Sequence, residues 1–120
     1  MSVIALDLGG TKLAAALMNE EEMILNSNQS LNGSTGEEVA SLICDAIDLL
    51  LKEADQQNDR VRSLGICIPG IYYANSGNVW APNIPGWQDF PLKNWLQEKY
   101  SGKDISINID SDRACCILGE

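Results

Sequence analysis

Val3-Ile4-Ala5-Leu6-Asp7-Leu8-Gly9-Gly10-Thr11-Lys12-Leu13-Ala14-Ala15-Ala16-Leu17 is two apolar runs joined by a tight polar turn. Adjacent glycines let a backbone take φ > 0 and bring its N–H groups close to an anion, because no Cβ intervenes. Thr11 adds a hydroxyl and Lys12 a cation. Asp7 ends an otherwise apolar strand facing the same turn, where a carboxylate is suited to holding Mg2+ through water. Together they point to a nucleotide polyphosphate with its metal. The same residues also satisfy a plain Gly-Gly hairpin, with Asp7 and Thr11 as local hydrogen-bonding partners. Neither Gly-x4-Gly-Lys-Ser/Thr nor Gly-x-Gly-x-x-Gly is present, and a strand rather than a helix follows, so strand-turn-strand geometry must supply the anion site.

Working outward, 120 residues suffice for one domain with a real core and are too few for two. A hydrophobic content of 45% excludes disorder, while Asp7, Gly65 and Pro69 interrupt every apolar run before membrane-spanning length. Met1-Ser2 lacks a basic leader, so the expected address is the cytoplasm. A net charge of -9 opposes binding to nucleic acid or an anionic membrane. Cys44, Cys67, Cys115 and Cys116 show no Cys-x-x-Cys spacing and the chain has no histidine, so reduced core thiols are expected, without a metal site.

The spacing predicts strands over 3–8, 12–18 and 22–29, the first three of a mixed sheet. Ser34 and Glu37 form a capping box for a helix bearing Val39, Leu42, Ile43, Ala46, Leu49, Leu50 and Ala54 on one stripe. Ser63 to Ile68 is a nearly continuous apolar strand, parallel to a neighbour through the helical crossover and stopped at Pro69-Gly70. From Ile71 to Asp89 the chain reads as loop, with Asn75-Ser76-Gly77-Asn78 as a turn. Pro91 opens a short helix with Leu92, Trp95, Leu96 and Tyr100 on one face. Ile105, Ile107 and Ile109 alternate with Ser106, Asn108 and Asp110 as the fifth sheet strand, and a final helix starts near Asp112.

This order, with Asp7-Leu8-Gly9-Gly10-Thr11-Lys12, Gly65-Ile66-Cys67-Ile68-Pro69-Gly70, Pro82-Asn83-Ile84-Pro85-Gly86-Trp87 and Asp112 through Leu118-Gly119-Glu120, resembles the ROK family of bacterial sugar kinases and repressors. The resemblance implies an α/β fold of the ribonuclease H-like, actin-like ATPase type, with a mixed five-stranded sheet and flanking helices. It further implies that residues 1–120 are an N-terminal domain whose C-terminal partner is absent from this chain, and that the fragment alone is inactive. Such a protein would use ATP and Mg2+ to phosphorylate the 6-hydroxyl of a hexose or N-acetylhexosamine, with zinc confined to the absent part.

By the same resemblance Gly9, Gly10, Thr11 and Lys12 hold phosphates, Asp7 orients Mg2+, and Asn83, Pro69 and Gly70 meet the sugar. Asp112 is the base that takes the hydroxyl proton, although it is equally placed to cap the final helix. Trp87 is expected to pack its loop. Ser111-Asp112-Arg113-Ala114 stands where the family has Asn-Asp-Ala-Asn, which keeps the aspartate and loses both amides. The implied partners are sugar and ATP, with a homodimer as the full-length assembly and no membrane. Nucleic acid would enter only through an added N-terminal domain, as in the family's sugar-responsive repressors. A sensor that binds sugar or ATP without turnover is the remaining alternative.

Overall fold

The computed structural model describes residues 2–9, 12–19, 23–31, 35–82 and 84–111. Alternation of buried and outward residues builds the sheet: Ile4, Leu6 and Leu8 of β1 (Ser2–Leu8) and Leu13, Ala15 and Leu17 of β2 (Lys12–Met18) face one core. β3 (Met23–Ser30) extends this hairpin, one residue later than the sequence suggested. After helix α1 (Gly36–Gln56), β4 (Val61–Ile68) pairs parallel to β1, and β7 (Ser106–Ser111) pairs parallel to β4. The result is the expected mixed five-stranded sheet, and its strand order is β3-β2-β1-β4-β7.

α1 buries Val39, Ala40, Ile43, Ala46, Ile47 and Leu50 against this sheet, while Leu49 stands 49% exposed, against its expected place in the stripe. Ile47 takes the inward position instead, since a 3.6-residue period cannot turn both Ile47 and Leu49 to the same core. The helix begins one residue later than predicted: Thr35 donates its N–H to Glu38 Oε1 at 3.1 Å. Ser34 lies outside the described residues. A tertiary contact decides between two equally spaced boxes, because Gly36 donates its N–H to the Pro85 carbonyl at 2.8 Å. α2 (Leu92–Lys99) follows Pro91 and buries Leu92 and Leu96.

The stretch 71–89 is more ordered than the loop expected of it. β5 (Ile71–Tyr73) and β6 (Asn78–Trp80) form a second, two-stranded sheet. Gly77 supplies the left-handed turn at φ +79, and a Cβ there would lie 2.8 Å from that of Lys93. Val79 and Phe90 exchange backbone hydrogen bonds at 2.8 and 3.0 Å, which ties the hairpin to the segment before α2. Three-residue strands are too short for period-two alternation to distinguish them from loop. The expected final helix lies outside the described residues. Among the described residues, no helix is long and apolar enough to cross a membrane.

Candidate functional site

The sheet's register places the described site residues Asp7, Gly9, Lys12, Pro69 and Gly70 toward one edge. Asp7 sits one residue before the end of β1, with Ala14 of β2 and Cys67 of β4 as register partners, and Cys67 is in turn opposite Asp110 of β7. Asp7 is exposed while Leu6 and Leu8 are buried, so its carboxylate stands on the face opposite the core. Asp7 and Asp110 are two strand spacings apart, about 10 Å. Lys12, exposed at the start of β2, lies across the turn. Carboxyl ends of parallel strands are where α/β sheets collect ligands, because the chain leaves the sheet there and loops surround the opening.

Gly9 closes the turn by donating its N–H to the Lys12 carbonyl at 2.8 Å. It is not among the glycines with left-handed φ, and a Cβ there would meet only that carbonyl oxygen, at an ordinary 3.5 Å. The fold itself therefore does not demand glycine at position 9, which corrects the expectation of a strained backbone there. Gly10 and Thr11 lie outside the described residues.

β4 stops at Pro69-Gly70, and here glycine is obligatory. Gly70 has φ +132, and a Cβ would fall 2.2 Å from the Trp80 carbonyl oxygen. This contact brings Trp80-Ala81, and with it the loop that follows, against the end of β4. The loop closes on itself: Ala81 donates to the Trp87 carbonyl at 2.8 Å and Ile84 to the Ala81 carbonyl at 3.0 Å. Trp87 is wholly buried, stacked on Phe90 with centroids 4.7 Å apart, and packs the loop as expected. Asn83 lies outside the described residues, as does Asp112. Ser111, the last residue of β7, is the register partner of Ile68, so the chain leaves β7 level with the approach to Pro69-Gly70.

Charge along this edge comes from Asp7, Lys12 and Asp110. An exposed carboxylate such as that of Asp7 suits Mg2+, which keeps most of its water and takes the rest of its ligands from one or two carboxylates and substrate phosphates. Among the described residues, no group of three His, Cys, Asp or Glu side chains is placed to hold a metal by itself. Cys44 is a free, buried thiol, as expected, and its burial raises its pKa. Cys67, in contrast, is disulfide-bonded, against the expectation of reduced thiols. Its position explains the difference: between buried Ile66 and Ile68 it faces away from the core and is only half-buried.

A cleft of about 610 Å³ opens at the opposite edge of the sheet, lined by Asp48, Lys52, Arg60 and Asp104 among others, and none of the described site residues borders it. What sequence reasoning missed is the β5–β6 hairpin, which leaves Ile71, Tyr73 and Trp80 exposed directly after Gly70. An apolar triplet on either side of Asn75-Ser76-Gly77-Asn78 was its signal.

The ROK family profile matches residues 3–120. An N-acetyl-D-glucosamine kinase of Citrobacter koseri is 31% identical over 115 residues, covering 95% of this chain and 36% of that protein. A xylose repressor of Caldicellulosiruptor bescii is 32% identical over 122 residues, covering 99% of this chain and 30% of that protein. Among solved structures, a ROK family glucokinase from Streptomyces griseus in complex with glucose and AMPPNP superposes with a TM-score of 0.75 at 25% identity, covering 93% of this chain and 33% of that one. The chain thus spans about a third of the length of these relatives.

Proposed function

The chain belongs to the ROK family, and from that premise we propose that it is the N-terminal domain of an ATP-dependent kinase for the 6-hydroxyl of a hexose or N-acetylhexosamine. The observation that carries this reading is the convergence of Asp7, Gly9, Lys12 and Pro69-Gly70 on the edge where β7 also ends. Similarity to an N-acetyl-D-glucosamine kinase supports it, as does likeness to a glucokinase holding glucose and AMPPNP.

In this reading Gly9, Gly10, Thr11 and Lys12 hold the ATP phosphates. Asp7 would hold Mg2+ through water, which would supply charge neutralisation at the transferring group. Pro69, Gly70 and Asn83 orient the sugar. Asp112, immediately after β7, takes the proton of the 6-hydroxyl as its oxygen attacks the γ-phosphorus, and the leaving ADP carries away the bond's electron pair. Phosphoryl transfer asks chiefly for positioning and charge neutralisation, so one carboxylate and one phosphate cradle are enough on this side of the cleft. The remaining domain would bring the adenosine pocket and further sugar contacts, and the full-length protein would be a homodimer.

Similarity to a xylose repressor favours a second reading, in which a sugar is bound as a signal and not turned over. ADP release by the full-length protein separates the two, with glucose, N-acetylglucosamine, N-acetylmannosamine and fructose as acceptors. Turnover of at least one is expected, and Asp112→Asn should lower kcat by at least about 100-fold. Absence of turnover with all four removes the kinase reading, and sugar binding without turnover establishes the second.

A further inference from the structure

Cys67 stands in the middle of the face that carries Asp7. Its register partners are Asp7 of β1 on one side and Asp110 of β7 on the other, and paired residues of parallel strands point the same way. The Asp7, Cys67 and Asp110 side chains therefore share the face turned away from the core that holds Ile66 and Ile68. Cys67 is disulfide-bonded, whereas Cys44 is a free thiol. The chain has four cysteines, and the other two are Cys115 and Cys116, so the second sulfur of the bond belongs to that adjacent pair. Both lie outside the described residues.

The consequence falls on Asp112. The ladder holds Asp110 opposite Cys67, one strand spacing or about 5 Å away, and a disulfide keeps its two Cα atoms within about 7 Å of each other. Asp112 thus belongs to a span of five or six residues fastened to Cys67 at both ends, by the ladder at Asp110 and by the bond beyond it. The ends of that span stand no more than about 12 Å apart, whereas the same length of chain drawn out would reach about 17–20 Å.

A bond so placed differs from one that makes up for a missing core. The sheet and α1 already enclose a continuous apolar core, and Cys67 is not part of it. Its half-buried position leaves it open to thiol exchange, a property of labile bonds more than of structural ones. We propose that the bond from Cys67 to the Cys115-Cys116 pair is a redox-sensitive tether that keeps Asp112 at the mouth of the site, and that a small dithiol releases it. The dithiol gives up two electrons and two protons, the S–S bond becomes two thiols, and the dithiol closes to its own cyclic disulfide.

This inference rests on the kinase reading, in which Asp112 takes the hydroxyl proton. Peptide mapping of the alkylated, unreduced full-length protein should give a fragment joining Cys67 to Cys115 or Cys116, and recovery of Cys67 as an alkylated thiol overturns the tether whatever the kinetics. With ATP and whichever of glucose, N-acetylglucosamine, N-acetylmannosamine and fructose is turned over, dithiothreitol should lower kcat about tenfold and leave both KM values within about twofold, because the base loses its place while the substrates keep their other contacts. Cys67→Ser should show the lowered kcat without reductant and no further response to it, whereas Cys44→Ala should respond as the parent does. A mapped bond whose reduction lowers Tm but leaves kcat unaltered overturns the proposal by making the bond purely structural. Equal responses of Cys67→Ser and the parent overturn it as well, by placing the sensitive thiols elsewhere. A wild-type protein that turns over none of the four sugars in either redox state overturns the kinase reading and the tether's role with it.

Discussion

The indole Nε1–H of Trp87 donates to the carbonyl oxygen of Gly36 at 2.9 Å, fastening the loop between β6 and α2 to the first turn of α1. Gly36 returns the connection through its N–H to Pro85, and Gly86 is close enough that a Cβ would lie 3.0 Å from the Gly36 Cα. A segment with little regular structure is thereby held by a helix more than 45 residues earlier in the chain. Removing that anchor should loosen Pro82–Trp87 before it disturbs the sheet.

Trp87→Ala should cost about 3–5 kcal/mol, because it empties a fully buried site and orphans the Gly36 carbonyl. Trp87→Phe keeps much of the volume and should lose less. Urea unfolding of both variants measures the difference, and a Trp87→Ala cost below about 1 kcal/mol would contradict the anchoring role.

Gly70→Ala places a methyl 2.2 Å from the Trp80 carbonyl in a backbone region that alanine avoids. Its stability loss should exceed about 1 kcal/mol, whereas Gly9→Ala, which meets only a 3.5 Å contact, should leave stability nearly unchanged. Gly9→Ala should instead impair ATP binding in the full-length protein. Thermal melts paired with ATP titrations separate the two glycines.

The Tyr100 hydroxyl donates to Asp48 Oδ1 at 2.9 Å, and burial followed by that carboxylate raises its pKa far above the usual phenol value. The folded state therefore keeps Tyr100 neutral where the unfolded chain, with a phenol pKa of about 10, ionises. The stability from this group is fully present below about pH 10 and declines as pH rises beyond it. Tyr100→Phe should lose about 1 kcal/mol at pH 7 and show a shallower decline above pH 10 than the parent. Identical alkaline slopes for the two proteins would refute the assignment.

Asp7 and Lys12 are exposed, so their substitution should spare the fold and strike activity. Lys12→Ala in the full-length protein should lower kcat/KM about 100-fold, and Asp7→Asn should raise the Mg2+ concentration needed for half-maximal rate. Unchanged kinetics with both variants would place the phosphates elsewhere.

The apolar patterns of β1, β2, β4 and β7 were legible in the amino-acid order, because each depends on neighbours within a few residues. So was the helix pattern, apart from the exchange of Leu49 for Ile47 at the core. The β5–β6 hairpin was not, since strands of three residues carry no period and owe their existence to Phe90 and the start of α2. Likewise, nothing local distinguished Thr35 from Ser34 as the helix start, or Gly70 as the glycine that sterics require.

Sequence by itself determined the fold class and the strands and helices of the main sheet layer, because local periodicity and turn chemistry are written in the chain. Only the tertiary structure decided that Asp7, Cys67 and Asp110 lie abreast on parallel strands and that Trp80 stands exposed against Gly70. Register between strands 60 and 40 residues apart follows from how one core is filled, and no short window of sequence contains that information.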